Sequence, residues 1–425
     1  MLTLTSSAAF ASAQTTPPPP PAAPVVSPPP VPPQDSRIPE SVKKRQTVDD
    51  EPEAAARVDN EPLDPALLGF FMVPGTTTRF KIGGYIRGDL IHDFSPAGNI
   101  DEFIISTIPI GNVGTDANTQ VHARQSRVSL DTRRPVGRGQ MRALFEMDFF
   151  GSDGERVPNL RHAYAQVVNL LVGFTVSTVQ DSDSRPDILD YEGPASRIAV
   201  RHAQVRYTLR LAKGQSLAVA IEEPLSDVPS SVGGETVTPR AASPDVVTRY
   251  RWDAHRGHLQ SGVVLRSIGG YIGDGAVSDQ VFGWGVVLSG SLLTHDRDTL
   301  VFEASGGRGF ARYVKDMSGK GLDLYTNAQG QFRAAGVSGV SAGYQHFWSE
   351  HMRSTLAASI DARESVEGSS PTTYRSARYA AINLIFRSST FTTGVEYDFG
   401  RFSVHDGQSN SASRIQVAVQ YGLVK

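Results

Sequence analysis

From residue 79 onward, apolar residues alternate with polar or small ones in short segments. Residues 141–149 are the clearest case, because Met141 and Phe145 fall on one face and Glu146 falls on the other. Successive side chains of a β-strand point to opposite faces, so this period of two predicts a strand with one apolar and one polar face. The same alternation recurs at residues 80–90, 202–210, 259–266, 282–289 and 414–421.

The connections between these segments alternate between short and long, which separates a membrane barrel from a soluble β-sandwich. We count about sixteen strands with both ends on the short-turn side, an even number that is typical of bacterial outer-membrane barrels. The sequence therefore predicts an all-β fold, a transmembrane antiparallel β-barrel whose lumen is filled with water. Short connections include 135–137, 213–214, 255–257, 349–351 and 387–389, and long ones include 94–121, 178–197, 224–243, 269–279, 308–325 and 401–411.

Composition removes several other classes of protein. No run of 18 apolar residues exists, and the longest candidate, Val167–Val176, is interrupted by Asn169 and Gly173, which excludes a helical membrane span. The formal net charge of −3 gives no basic excess for a nucleic-acid partner. The chain has no cysteine, which excludes disulfide scaffolds and thiolate metal sites and suits a protein that crosses an oxidising compartment.

The N-terminal part differs in composition from the rest. Residues 1–13 end in Ala11-Ser12-Ala13, which fits the rule for signal-peptidase cleavage, so we interpret them as the remnant of a secretory signal peptide; a plain Ala/Ser terminus is the alternative. Residues 14–65, with eleven prolines between positions 17 and 33, predict a stiff, Pro-rich and charged periplasmic spacer or, alternatively, a docking segment. The barrel is then expected over residues 66–425.

Several short motifs follow one another in order between residues 66 and 223. They are VPGTTTRFKIGGY at 73–85, STIP at 106–109, ARQSR at 123–127, EMDFF at 146–150, RHAYAQ at 161–166, STVQD at 177–181 and LDYEGP at 189–194. In these motifs the chain resembles the DcaP-like family of trimeric outer-membrane porins. Beyond residue 225 the likeness is one of strand pattern only.

The resemblance implies a homotrimer of sixteen-stranded barrels that takes up small, often anionic organic solutes, with dicarboxylates as the associated class. Two features depart from the family pattern. A Pro-rich segment stands where family members often carry a coiled coil, and the last residue is Lys425 where many outer-membrane barrels end in an aromatic residue. Both departures concern the periplasmic arrangement and the assembly signal rather than the pore.

The polar faces of the strands carry many arginines, which select anions electrostatically and bind carboxylates bidentately. Alternatively, the arginines pair with acids of the lumen and neutralise them, and such acids include Glu146, Asp148, Glu222 and Glu303. Arg124, Arg161 and Arg201 fall on the outward parity, which predicts a position beyond the bilayer or at a subunit interface. The predicted pore-lining residues are Lys81, Arg87, Arg127, Arg142, Arg206, Arg249, Arg251, Arg266, Glu146 and Asp148.

The connection from Val179 to Arg197 is the predicted constriction loop, because its acids would face an arginine wall and its prolines stiffen it. A Ca²⁺ site formed by these acids is a more specific alternative, although their spacing does not match an EF-hand loop. The simplest alternative is that the acids are exposed to solvent in a surface loop. We expect no metal and no cofactor. The acids of the predicted constriction loop are Asp181, Asp183, Asp187, Asp190 and Glu192.

These features favour a channel in the outer membrane that contacts lipid and small anionic solutes, not an enzyme. No H-E-x-x-H motif occurs in the sequence, and the ten histidines are scattered along it. A barrel-embedded hydrolase would need Ser and His on the outer face, whereas His162 and His202 point inward by parity. A structural anchor in the outer membrane is the third hypothesis.

Overall fold

The computed structural model describes residues 69–423 except 112, 113, 115, 138, 152–156, 274–276, 367 and 368. The predicted signal-peptide remnant and the predicted periplasmic spacer lie outside the described residues. The described chain forms a closed antiparallel barrel of sixteen strands, as the alternation and the loop lengths predicted. Among the described residues, no helix is both long and apolar enough to cross a membrane.

Each strand pairs with its neighbours in the chain, and β1 also pairs with β16 to close the barrel. The closing register runs from Tyr85 opposite Gly422 to Asp93 opposite Arg414. The strands are β1 Arg79–Asp93, β2 Asn118–His122 continued by Arg127–Val136, β3 Gly139–Asp148, β4 Asn159–Val167, β5 Leu170–Val176, β6 Arg201–Ala212, β7 Gln215–Glu222, β8 Asp245–Ala254, β9 Gly257–Ile272, β10 Val277–His295, β11 Asp298–Arg308, β12 Gly336–Phe347, β13 Met352–Arg363, β14 Tyr374–Arg387, β15 Phe391–Val404 and β16 Ser409–Gly422.

The barrel wall carries its apolar side chains on the outside and its polar side chains on the inside, which is the reverse of a soluble protein. On β14, Ile382 and Leu384 point outward and are exposed, while Asn383 between them is buried. The same alternation buries arginines, aspartates and glutamates inside the barrel and exposes leucine, valine and aromatic side chains outside. Because water would penalise such an outer surface, the apolar outside fits contact with lipid, and closure removes the unpaired strand edges that lipid does not tolerate.

Strand β2 is interrupted between His122 and Arg127, where it switches from the second half of β1 to its first half. Gly84 lies at this junction with φ of +121°, a left-handed value that favours glycine. A Cβ atom at Gly84 would lie 2.1 Å from the carbonyl oxygen of Arg127. The junction therefore depends on the absence of a side chain.

Replacing Gly84 by alanine should destabilise the barrel. The added methyl group forces β2 away from β1, and the left-handed backbone adds strain, together about 1–3 kcal/mol in the free energy of unfolding. Urea titration of the folded protein in detergent measures the change. Gly88→Ala is the matched control on the same strand, because a Cβ atom there meets nothing within 4 Å. Equal unfolding midpoints for the two variants would contradict the expectation.

Two of the predicted long connections are wrong. Strand β9 continues to Ile272 and β10 begins at Val277, so residues 269–279 are mostly paired strand, with Gly269 opposite Gln280. Residues 401–411 are likewise mostly strand, because β15 ends at Val404 and β16 begins at Ser409. Glycine and serine favour turns locally, but backbone pairing with the neighbouring strand prevails here. The long connections in the described structure include 94–117, 177–200, 223–244 and 309–335.

The prediction that Arg161 points outward is wrong as well. The pairing of β3 with β4 shifts register between Glu146 and Met147, so β4 has one extra residue, and Arg161 and His162 are both buried. A β-bulge of this kind turns a side chain to the other face. Arg124 lies in the interruption of β2, not in a strand, and its guanidinium donates to the carbonyl oxygen of Gly151 at 2.7 Å. Arg201 is half-buried at the start of β6.

Three of the long connections pack against one another inside the barrel. Phe103 and Ile105 from the connection 94–117, Ile198 from 177–200, and Phe310 and Tyr313 from 309–335 belong to one buried apolar cluster. Ile198 and Val314 also form an isolated antiparallel bridge between two of these connections. The largest apolar cluster therefore lies between these loops and apolar patches on the inner face of the wall, and it holds the loops inside the barrel.

Candidate functional site

The connection 177–200, called the inward loop below, lies across the interior of the barrel. It leaves β5 and returns to β6, yet it reaches strands on the far side. The backbone N–H groups of Leu189 and Asp190 donate to the carboxylate of Glu396 on β15 at 2.7 and 2.6 Å. On β1, Arg87 donates to the carbonyl oxygen of Leu189 at 2.6 Å. The loop therefore spans the lumen, and strands on opposite sides of the barrel hold it.

The first two acids of the inward loop contact the β8–β10 wall. Asp181 accepts from His258 at 2.7 Å, from Ser289 at 2.7 Å and from Arg251 at 3.2 Å. Asp183 lies 2.5 Å from the same guanidinium. Burial tends to raise the pKa of Asp181, but the hydrogen bond and charge of His258, together with Arg251, overcome it and hold that pKa below its usual range.

The remaining acids of the inward loop are also held by neighbours. Asp187 forms an ion pair with Arg353 on β13. Asp190 accepts from the backbone N–H of Gly193 at 2.8 Å, and Glu192 lies 2.8 Å from the ammonium group of Lys315. These acids are built into the loop's framework, so a simple picture of solvated loop acids does not describe them. Their role as a constriction stays a prediction.

Asp181, Asp183 and His258 place one ligand atom each within 4.8 Å of one another, a spacing that could hold a metal ion. Arg251 already donates to both carboxylates, so a guanidinium supplies positive charge at this position. The arrangement is chemically a buried ion-pair network rather than an open set of oxygen ligands.

Most of the predicted pore-lining residues point inward and form ion pairs with acids. Arg266, for example, bonds Asp245 at 3.0 Å and Asp323 at 2.8 Å. The other pairs are Arg87 with Asp89 at 2.9 Å, Arg142 with Asp131 at 2.9 Å, Arg127 with Glu146 at 3.6 Å, and Arg161 with Glu146 at 3.2 Å and Asp148 at 2.6 Å. These arginines and acids therefore neutralise one another, which is the alternative that the sequence left open.

Arg206 differs from the paired arginines. Its guanidinium is 2% exposed and donates to Thr178, Gln204 and the carbonyl oxygen of Val176, which are all neutral. Among the described residues, no carboxylate forms an ion pair with it. Arg249 on β8 is also buried, and β7 separates it from Arg206 on β6. Arg206 is opposite Ala220 of β7, and Arg249 is opposite Ala218 of the same strand. Lys81 is half-buried near the start of β1, opposite Asp131.

Three inward arginines besides Arg161 were not among the predicted pore-lining residues. Arg353 holds the inward loop through Asp187, Arg363 donates to the carbonyl oxygens of the connection 309–335, and Arg414 bonds Asp93 at 2.7 Å. All three follow the parity of their strands. Extending the alternation to β13 would have found Arg353 and Arg363, and Arg414 belongs to the alternating segment 414–421. His162 and His202 are buried inside the barrel, as parity predicted.

Glu102, in the connection 94–117, makes the loop packing sensitive to pH. Burial raises the pKa of its carboxyl to about 8, and the negative charges of Glu192 and Asp190 add to the effect. The neutral carboxyl stabilises the packed loops fully below the ordinary pKa of 4.5, and this contribution is lost as the pH rises through about 8.

Replacing Glu102 by glutamine should therefore flatten the pH dependence of stability. Thermal unfolding in detergent between pH 5 and pH 9, a range chosen around the shifted pKa, should show the native protein losing stability with rising pH more steeply than the variant. Glu235→Gln, which alters an exposed acid in another loop, serves as the control. Identical slopes for the native protein and Glu102→Gln would show that this carboxyl does not carry the effect.

The family model described as DcaP outer membrane protein matches residues 72–423. The chain belongs to this DcaP family. A search of the curated proteins found no match. The crystal structure of the outer membrane channel DcaP of Acinetobacter baumannii is similar in fold, with a TM-score of 0.73 and 22% identity over 84% of this chain and 100% of that one.

Two further solved porins share the fold with the DcaP-family chain. The anion-selective porin from Comamonas acidovorans has a TM-score of 0.56 and 11% identity, covering 81% of this chain and 100% of that chain. OmpT of Vibrio cholerae in its trimer form has a TM-score of 0.50 and 8% identity over 81% and 99%. Together with the closed barrel, the family match identifies a porin of the bacterial outer membrane.

Proposed function

We propose that this porin passively takes up small hydrophilic anions, with carboxylates and dicarboxylates as the favoured solutes, and that it works as a homotrimer. The observation that carries the proposal is the pair Arg206 and Arg249 on the inner wall. The two arginines lie on either side of Ala218 and Ala220 of β7, so two buried positive charges are close together on one part of the inner wall.

Neutral groups hold Arg206 by hydrogen bonds, and the carboxylate of Glu222 acts on it from beyond ion-pair distance. A buried charge is costly unless an opposite charge or strong hydrogen bonds compensate it. The oxygens around Arg206 satisfy its hydrogen bonds but leave its positive charge in place. In a narrow lumen that charge is screened less than in bulk water, so it attracts anions, and a guanidinium binds a carboxylate through two parallel hydrogen bonds.

Two similarities support the finer parts of the proposal. The Comamonas relative in fold is described as an anion-selective porin, and the Vibrio relative in fold occurs in a trimer form. We also propose that the N-terminal segment lies in the periplasm. β1 begins beside the tight turn that follows Val136, and tight turns face the periplasm in outer-membrane barrels.

Recordings of the full-length protein in planar bilayers test the proposal. Under a potassium chloride gradient, we expect stepwise currents whose reversal potential has the sign of an anion-selective channel. Liposome swelling should then rank a dicarboxylate above a neutral sugar and an amine of similar size. Currents with cation preference would refute anion selectivity and leave the porin intact. An absence of steps from correctly folded protein would refute the channel itself.

A further inference from the structure

Three arginines lie together on the outer surface of the barrel, and we call them the outer arginine cluster. Arg378 on β14 and Arg401 on β15 are direct cross-strand partners, and both are exposed. Arg375 is the extra residue of a β-bulge between Tyr374 and Ser376, and it is exposed as well. All three lie at the end of the wall from which long connections such as 94–117 leave, the end that faces the cell exterior in outer-membrane barrels.

The outer arginine cluster borders the apolar band of the same two strands. Below Arg378, the outward positions of β14 are Ala380, Ile382, Leu384 and Phe386. Below Arg401, those of β15 include Phe399, Tyr397 and Val395, and each of these three is about two-fifths exposed. An arginine at the edge of the band avoids most of the cost of a charge at the bilayer centre and lies at the level of the lipid headgroups.

Protein groups do not neutralise this cluster. The described residues place no carboxylate in an ion pair with Arg375, Arg378 or Arg401, and Arg401 donates to the hydroxyl of Ser409 at 2.7 Å. Like charges directly opposite each other on neighbouring strands destabilise a sheet. Arg308 shows the contrast, because this outward arginine on β11 has Glu364 at 3.1 Å.

We propose that the outer arginine cluster is a binding site for a phosphate-bearing lipid headgroup of the outer leaflet. Arg378 and Arg401 are adjacent enough for one phosphate to accept from both guanidinium groups, because the Cβ atoms of directly opposed residues are about 4.5–5.5 Å apart. The apolar side chains below the cluster would receive the acyl chains of the same lipid. The site therefore has an anion-binding group at the level of the lipid headgroup and an apolar surface at the level of the acyl chains.

Binding of lipid A that carries both phosphates, measured by native mass spectrometry on the full-length protein in detergent, tests the proposal. We expect Arg378→Gln/Arg401→Gln to bind about tenfold more weakly, since several charge-assisted hydrogen bonds are lost. Arg308→Gln, on the same outer face, should bind as the native protein does. Arg378→Lys/Arg401→Lys should give intermediate binding, because lysine keeps the charge but not the bidentate geometry.

Three outcomes would overturn the proposal. The first is equal binding by the native protein and the double glutamine variant. The second is equal binding of lipid A and fully dephosphorylated lipid A. The third is a double variant whose oligomeric mass changes while its lipid binding does not, which would assign the cluster to a contact between copies of the chain. Unchanged single-channel conductance of the variants shows that they are folded.

Discussion

Excising the part of the inward loop that crosses the lumen should raise single-channel conductance several-fold. Residues 182–196 contain the contacts with Arg353, Glu396 and Arg87, so their removal clears the passage between opposite walls. The gap can be closed with a short glycine–serine linker, because Asp181 and Ile198 line the same small cavity. A lumen with a wider free cross-section passes more ions at a given voltage.

The control for this excision is a deletion in a loop that does not cross the lumen. The exposed tip around Gly233 and Gly234 lies between the short strands Ser231–Val232 and Glu235–Arg240, and its removal should leave conductance unchanged. If the excision of 182–196 also leaves conductance unchanged while the protein stays folded, then the inward loop does not limit the current.

Replacing Arg206 by glutamine should shift the reversal potential toward cations, and Arg206→Glu should shift it further. Arg206 contributes a positive charge that forms no ion pair with a described carboxylate, although the charge of Glu222 acts on it from a greater distance, so its loss should weaken the attraction for anions. We expect the ratio of chloride to potassium permeability to fall several-fold in Arg206→Gln, and Arg249→Gln to have an effect in the same direction. Bilayer recordings in a salt gradient measure both.

Arg142→Gln is the matched control for this series. Arg142 also points inward, but Asp131, which it shares with Arg133, lies 2.9 Å from its guanidinium, so its charge is partly offset. Its replacement should change selectivity less than the replacement of Arg206. If Arg206→Gln behaves as the native protein does while the channel conducts normally, selectivity arises elsewhere and the proposal of an arginine-selected anion pathway fails.

The sequence alone was sufficient for the closed barrel, because alternation and loop length are both properties of local sequence. It also predicted that Arg142 and Arg206 share the inner face, since parity carries over from residue to residue along an unbroken strand. Parity failed at Arg161, where a bulge of one residue shifts every position beyond it. Nothing in the composition of β4 marks this bulge, because the extra residue is stabilised by Glu146 and Asp148 on the neighbouring strand.

The candidate site was harder to predict than the wall. The acids of the segment 179–197 marked it as a special connection, but their partners come from β8, β9, β13 and the connection 309–335. Such contacts depend on how the chain closes and leave no local pattern. The packing of Phe103 and Phe310 against the inward loop was missed for the same reason, because apolar residues in a long connection also suit an exposed surface loop.

The position of the inward loop constrains the order in which the molecule can be assembled. Its contacts come from β1 at one end of the chain, from β8 in the middle and from β15 near the other end. A chain inserted strand by strand cannot offer all three surfaces until the first and last strands have met. We therefore expect the loop to dock late in biogenesis, so that a barrel that has just closed has a lumen that this loop does not yet cross.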